Sequence, residues 1–327
     1  MFLLIFLHRK LLSKLLSKLL SKLQRCSRQV GRVKQDSILH TLKALIYTAL
    51  LALPAGLTLL IISWAIKLPN TASNMSVELA NAGIYTAISL ISVQFLKVLC
   101  IEKGVSEVHF ERKANALSKY AKQLNLFIFL GIPCYFITLS AIKLFPATLG
   151  GPLTILGYSG LIFTLVRIIY SILHPHKGLL YREQTTNPES IFQTRKIIFF
   201  LTMCLPVAIV IMSLAGYTYT AGIFGERLYF SILLAALIWI FHSLLSRWLL
   251  ITSKRLTYDN LVIARKAKWD RLKATVNEVP ELVHEEILEH EVDLKTLDDD
   301  SHKLINAATL VLAVVGFVGV WARYYRH

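Results

Sequence analysis

The chain has 327 residues, of which 55% are hydrophobic and 17% charged, and 36 Lys and Arg against 20 Asp and Glu leave a formal charge of +16. So much apolar side chain with so few charges lies outside the composition of ordinary soluble domains. A strongly basic chain can neutralise nucleic-acid phosphates, but here the positive charge is sorted between apolar stretches, which argues against nucleic acid as the partner.

At the amino terminus Met1 to Leu7 is apolar but far too short to cross a bilayer, and no small-residue cleavage site follows it, so a cleaved signal peptide is not expected. A Leu-Leu-Ser-Lys pattern then repeats from Leu11 to Leu23. At about 100° per residue, Lys14, Lys18 and Lys22 fall on one side with Ser13, Ser17 and Ser21, while Leu12, Leu15, Leu16, Leu19, Leu20 and Leu23 fall opposite. Such a basic amphipathic helix suits the inner membrane interface, or equally the cytoplasmic ends of packed spans, and both readings stay open. Lys14, Lys18 and Lys22 are candidate lipid contacts. A calmodulin-like or other partner-docking role has no independent support.

A transmembrane helix needs about 20 mostly apolar residues. Candidates lie near 40 to 66, 82 to 100, 124 to 144, 153 to 173, 197 to 215, 228 to 250 and 304 to 322. Lys and Arg alternate between them: ten over residues 9 to 43, then Lys67 alone, six over 97 to 122, Lys143 alone, five over 167 to 196, Arg227 alone, and ten over 247 to 303. Basic loops remain in the cytoplasm, so the segments with Arg32, Arg112, Lys177 and Lys254 are expected inside and the loops around Asn70, Gly150 and Phe224 outside. The amino terminus is then cytoplasmic. The seventh span is the weak one, because Arg323 and Arg326 would follow it on the outer side.

Pro54, Pro133 and Pro206 lie within spans and are candidate helix kinks. A broken helix can expose carbonyls to an ion, but no carboxylate lies near any of the three, and ordinary bending is the better reading. Ionisable groups near spans, Lys97, Lys143, Arg167 and His242, fall toward span ends, where long side chains reach the interface. Arg167 is the deepest and is a candidate lipid-headgroup residue, as are Arg247 and Trp248 at the end of the sixth span.

Residues 251 to 303 form the largest polar segment, basic from Ser253 to Lys273 and acidic from Glu278 to Asp300. The first half reads as a continuation of the sixth span along the inner surface. Within the second, His284 and His290 are six residues apart, not the four of a zinc-protease helix; Glu286 and His290 share a face, but a solvated acidic helix is the better reading. Cys26, Cys100, Cys134 and Cys204 have no CxxC spacing and read as inert small residues, without disulfide or zinc. No nucleophile elbow, P-loop, dinucleotide turn or EF-hand occurs, so no enzyme activity, cofactor or metal is expected.

Short strings carry a resemblance. They are Val30 to Leu45 leading into Leu51-Ala52-Leu53-Pro54, Gly104 to Phe110, Leu173 to Gly178, Gly216 to Ala221, Arg247 to Leu250 with Lys254-Arg255-Leu256, and His302 to Asn306. Together, over about residues 24 to 322, they resemble the inner-membrane domain of the large MscS-like mechanosensitive channels of the MscK and MscM type. In that pattern a first span precedes this block, and a pore module and cytoplasmic β-rich domain follow. The resemblance implies that Met1 to Leu7 is the stump of the first span and that the chain stops before the pore. Ala313, Gly316 and Gly319 in the last span then read as ordinary helix-packing positions.

The expected fold is an all-α integral membrane protein of about seven transmembrane helices, with a basic amphipathic amino-terminal helix and a charged cytoplasmic helical segment. Its expected divisions are residues 1–37, a six-span block 38–250, the charged segment 251–303, and 304–327 with the seventh span. The resemblance implies a tension-sensing, lipid-contacting block of a bacterial inner-membrane channel, not conducting alone. Its implied partners are membrane lipids and either further copies of itself or a full-length mechanosensitive channel. A small-molecule transporter is the alternative, and would need a polar site at mid-membrane depth; a structural or decayed membrane protein is another.

Overall fold

The computed structural model describes residues 2–27, 38–69, 73–102, 104–110, 112, 114–144, 147–173, 188–274 and 283–322, and among these all regular structure is helical. In chain order the elements are α1 (Phe2–Ser27), α2 (Ile38–Lys67), α3 (Asn74–Leu99), a π-helical turn (Val105–His109), α4 (Ala114–Leu126), a second π-helical turn (Phe127–Gly131), α5 (Ile132–Leu144), α6 (Ala147–Leu173), α7 (Pro188–Leu214), α8 (Thr218–Ala274) and α9 (Val283–Ala322). Among the described residues, six helical stretches are long and apolar enough to cross a membrane: α2, α3, the continuous run Ala114–Ile142, Gly151–Ile172 of α6, Thr218–Ala267 of α8 and Lys303–Ala322 of α9. The apolar part of α7, Phe199–Leu214, is shorter. At about 1.5 Å per residue it reaches roughly 24 Å, so the expected "about seven" is close: among the described residues there are six helices of spanning length and one shorter apolar helix.

The charged segment has no helix boundary where it meets the spans. α8 runs unbroken for 57 residues, from the sixth span through the basic stretch, and α9 for 40, from the acidic stretch through the seventh. The side chains of 271–300, including His284, Glu286 and His290, lie outside the described residues, as do Arg32, Asn70 and Lys177.

Two compact units form. The first comprises Met1–Ser27 and Lys43–Phe230, the second Arg28–Leu42 and Ser231–His327. In the first, α5 and α6 make the closest pairing, α7 covers α6, and α3 and α4 pack on α5 and α6 respectively. In lipid this cannot be driven by hydrophobic transfer, since acyl chains are as apolar as Leu; close backbone approach between small residues supplies the contact. A Cβ on Gly157 would collide with Thr138 Oγ1 and lie 3.0 Å from the Cys134 carbonyl, one on Gly160 would lie 2.5 Å from Cys134 Sγ, and one on Gly131 would lie 2.8 Å from Thr164 Oγ1. α2 and α3 meet the same way, with Gly83 against Ser63 and Gly56 against Ile91.

Four buried threonine hydroxyls are satisfied within their own helices. Thr48 donates to the Ala44 carbonyl at 2.8 Å, Thr86 to Ala82 at 2.7 Å, Thr138 to Cys134 at 2.8 Å and Thr164 to Leu161 at 2.7 Å. These four threonines therefore serve as compact packing residues whose polar atoms need no partner across the interface.

Helix ends are set locally. Ser73 caps α3 by accepting from the Ser76 amide at 3.3 Å. α7 ends in a Schellman turn, in which Gly216 takes φ +92°, its amide bonds to the Ser213 carbonyl at 3.2 Å and that of Tyr217 to Met212 at 3.0 Å. Only glycine adopts that φ without strain.

In the second unit α9 lies beside α8 over the Gly316–Leu234 contact, where a Cβ on the glycine would come within 2.9 Å of Leu234 Cδ2. Ala313 lines the groove between the two helices, whereas Gly319 faces open space. Of the three small residues expected to pack, Gly316 alone closely approaches a neighbouring helix, while Ala313 borders the groove.

Candidate functional site

Among the described residues no group of metal-ligating side chains emerges; the candidate functional features are the joints at which helices are held together or allowed to yield. The first is the span Ala114–Ile142, which is helix, π turn and helix in succession. Pro133 lacks an amide, and its ring crowds the carbonyl four residues earlier, at Phe129. Widening the preceding turn relieves that crowding, and the Ile132 amide accordingly reaches back five residues to Phe127. Pro54 and Pro206 lie inside helices that continue on both sides of them. Pro152, in the second turn of α6, was not singled out from the sequence.

The second joint is the elbow after α3. Cys100 caps that helix, and the π turn Val105–His109 follows. Val105, Ser106 and His109 are buried, and a Cβ on Gly104 would stand 2.6 Å from the Ile101 carbonyl oxygen, so only glycine fits this corner. Cys100 lies just outside the span, and burial pushes its thiol up to about 12. α1 packs on this elbow, with Leu23 and Ser27 buried. Its Lys14, Lys18 and Lys22 are exposed, and the Lys22 ammonium lies 6.0 Å from the Tyr47 ring centroid.

The third joint is a buried cation. Arg247 and Trp248 were expected together at the lipid interface, but they face different surroundings. Trp248 is 54% exposed; Arg247 is buried, and its Nε donates to Thr41 Oγ1 at 2.9 Å. Arg167 takes the outer course, exposed, with Nε donating to Gln123 Oε1 at 3.1 Å and its guanidinium 6.0 Å from the Phe163 ring. It thereby ties α6 to α4.

Sequence reasoning also missed an aromatic cluster. Tyr135 and Tyr229 stack at 6.2 Å, and the Tyr158 hydroxyl lies 2.6 Å from where a Cβ on Gly222 would stand. The glycine at 222 thus marks where the start of α8 accepts the tyrosine of α6. His242 lines an apolar groove of about 520 Å³ between α8 and α9, with Ser231, Trp239, Asn306 and Phe317.

Residues 1–325 match the family described as mechanosensitive ion channel inner membrane domain 1. The chain belongs to that family. It is 22% identical over 310 residues to the miniconductance mechanosensitive channel MscM of Escherichia coli (strain K12), a match that covers 93% of this chain and 27% of that relative. The chain therefore spans about a quarter of the length of the curated relative it matches. No solved structure matches. The resemblance noted in the sequence and the fold agree on a multi-pass membrane domain of a mechanosensitive channel family. The strings that carried the resemblance fall largely on joints of that domain: Gly104 to Phe110 forms the elbow, Gly216 to Ala221 the turn into α8, and Arg247 the buried cation. Val30 to Ser37 and His174 to Gly178 lie outside the described residues.

Proposed function

We propose that this chain is the tension-sensing, lipid-contacting membrane block of a mechanosensitive channel, with its amino terminus and basic segments in the cytoplasm, and that it does not conduct by itself. The observation that carries this reading is the unequal packing of its spans. A bilayer under tension can bias a two-state equilibrium only if the states differ in area or lipid occupancy. Spans that are half-buried can keep their shape, while spans with most of their surface uncovered can exchange lipid or move. Over a membrane-length window 44% of α3 is buried but only 6% of α9. The uncovered faces of α9 carry Leu304, Leu310, Val311, Val315 and Val318, which suit lipid or another helix rather than an aqueous lumen. They also support association with further copies or with a full-length channel. Pro54, Pro133 and Pro206 are proposed as the places where the helices bend between states.

The test is patch-clamp recording from giant spheroplasts that lack native mechanosensitive channels, with insertion of the chain confirmed. Silence under tension is expected; a tension-gated current would overturn the claim that the block is not conducting. Co-expression with a full-length channel should then shift that channel's gating tension, and an unchanged threshold would count against a sensing role.

A further inference from the structure

We propose that the basic ladder of α1 binds the phosphate groups of anionic phospholipids, so that surface charge of the inner leaflet is a second input to the block beside tension. The inference rests on the reading above, that the block lies among lipids with its amino terminus in the cytoplasm.

Lys14, Lys18, Lys22 and Arg25 follow one another at steps of four, four and three residues, which places them within an arc of about 80° over roughly 17 Å of helix. All four are exposed, and among the described residues none pairs with a carboxylate. The first acidic residue of the whole sequence is Asp36. Ser17 and Ser21, on the flank of the ladder, turn their hydroxyls back to the Lys14 and Lys18 carbonyls at 2.9 and 2.8 Å, so the cations are the outward-reaching donors of this surface.

The charge alone would suit any polyanion; its position selects the membrane. Lys22 lies over Tyr47, in the third turn of the span α2, and α1 packs on the elbow that follows the span α3. The carboxyl-terminal end of the ladder is thereby held beside two membrane helices, near the end of α2 that the reading above places at the inner leaflet. Each cation near an anionic surface strengthens attraction roughly fivefold, so three lysines together amount to on the order of 100-fold. Because α1 rests on Val105–His109, lipid bound to the ladder would also steady that elbow.

The experiment uses the full chain in phosphatidylcholine vesicles with and without a minority of phosphatidylglycerol, in a variant whose four native cysteines are replaced and whose Ser17→Cys position carries an environment-sensitive fluorophore. A blue shift that requires phosphatidylglycerol, weakens with salt and falls severalfold in Lys14→Gln/Lys18→Gln/Lys22→Gln is expected, with helicity and proteolytic pattern unchanged. Amide exchange across 104–110 should slow in parallel. An equal shift in phosphatidylcholine alone would overturn the anionic-lipid site while leaving lipid contact by the leucine face, and hence the tension reading, intact. No shift in either vesicle would overturn it in favour of a soluble or protein partner. A shift without change in exchange at 104–110 would overturn the link to the elbow.

Discussion

The α5–α6 seam and the last span, α9, are built from similarly apolar sequence and behave as opposites. In the seam Gly131, Gly157 and Gly160 admit Thr164, Thr138 and Cys134 to within contact of their backbones. Along α9 one glycine, Gly316, touches a neighbour, and Gly319 meets nothing within 4 Å. Hydropathy does not distinguish the two, since lipid solvates both. What separates them is where small residues lie opposite one another, and that decides which helices are held by a close neighbour and which leave their faces uncovered.

Leucine at the two kinds of glycine gives the largest expected contrast. Gly157→Leu forces a branched side chain against the Cys134 carbonyl and the Thr138 backbone, and should destabilise the first unit by about 3 kcal/mol, the upper end for overpacking. Gly319→Leu extends into open space and should change stability by less than about 0.5 kcal/mol. Unfolding in mixed micelles with increasing sodium dodecyl sulfate measures both; equal losses would mean that α9 is as tightly held as the seam.

A second contrast comes from adjacent residues of α8. Arg247→Ala removes a buried charge-assisted hydrogen bond to Thr41 and should cost about 2 kcal/mol. Trp248→Ala, on an exposed face, should cost well under half as much in the same titration. If the tryptophan proves the more costly, Arg247 is not the residue that holds α8 to the start of α2.

Cys100 provides a smaller and pH-dependent test. Its thiol is raised in the folded protein to about 12, while an unfolded thiol titrates near 8.5. Its contribution to stability is therefore fully present below about pH 8.5 and is lost as pH climbs toward 12. Alkylation at pH 8 should modify Cys100 only as the protein unfolds, and Cys100→Ala should flatten the loss of stability above pH 9. Rapid labelling of the folded chain at Cys100 would contradict its burial.

These contrasts show which parts of the molecule were readable in the sequence. Span number and length were, because about 20 apolar residues is a threshold set by bilayer thickness, and α2, α3, α6 and α9 fall where the apolar runs lie. The lysine ladder was, because a repeat in steps of four marks one face of a helix. The split of Arg247 from Trp248 was available in principle: neighbouring residues point about 100° apart, so both could not face the same lipid. The elbow was visible only as the string Gly104 to Phe110, with no sign that its turn is π-helical. The Tyr135–Tyr229 stack joins residues 94 positions apart, and single-chain periodicity carries no information about which helices become neighbours.

Pro133 is where the seam and the uncovered spans can be compared at the finest scale. It ends the π turn Phe127–Gly131 in a packed helix, while Pro54 lies inside the continuous helix α2, whose membrane-length window is only 17% buried. Pro133→Ala restores an amide that can donate to the Phe129 carbonyl, and removes the ring that crowds it. One net hydrogen bond is worth about 1 kcal/mol, but closing the π turn rotates the residues before it by up to one position, which carries Gly131 away from Thr164 and Phe127 out of its buried site. The two effects oppose, so stability should change by less than about 1 kcal/mol while amide exchange over 127–133 is redistributed. Pro54→Ala has no π turn to close and should alter exchange only within one turn of position 54. If Pro133→Ala leaves the exchange of 127–131 as it was, the seam, through Gly131 and Phe127, holds the π turn open and the proline merely tolerates it; the yielding element of this span would then be its packing, not its proline.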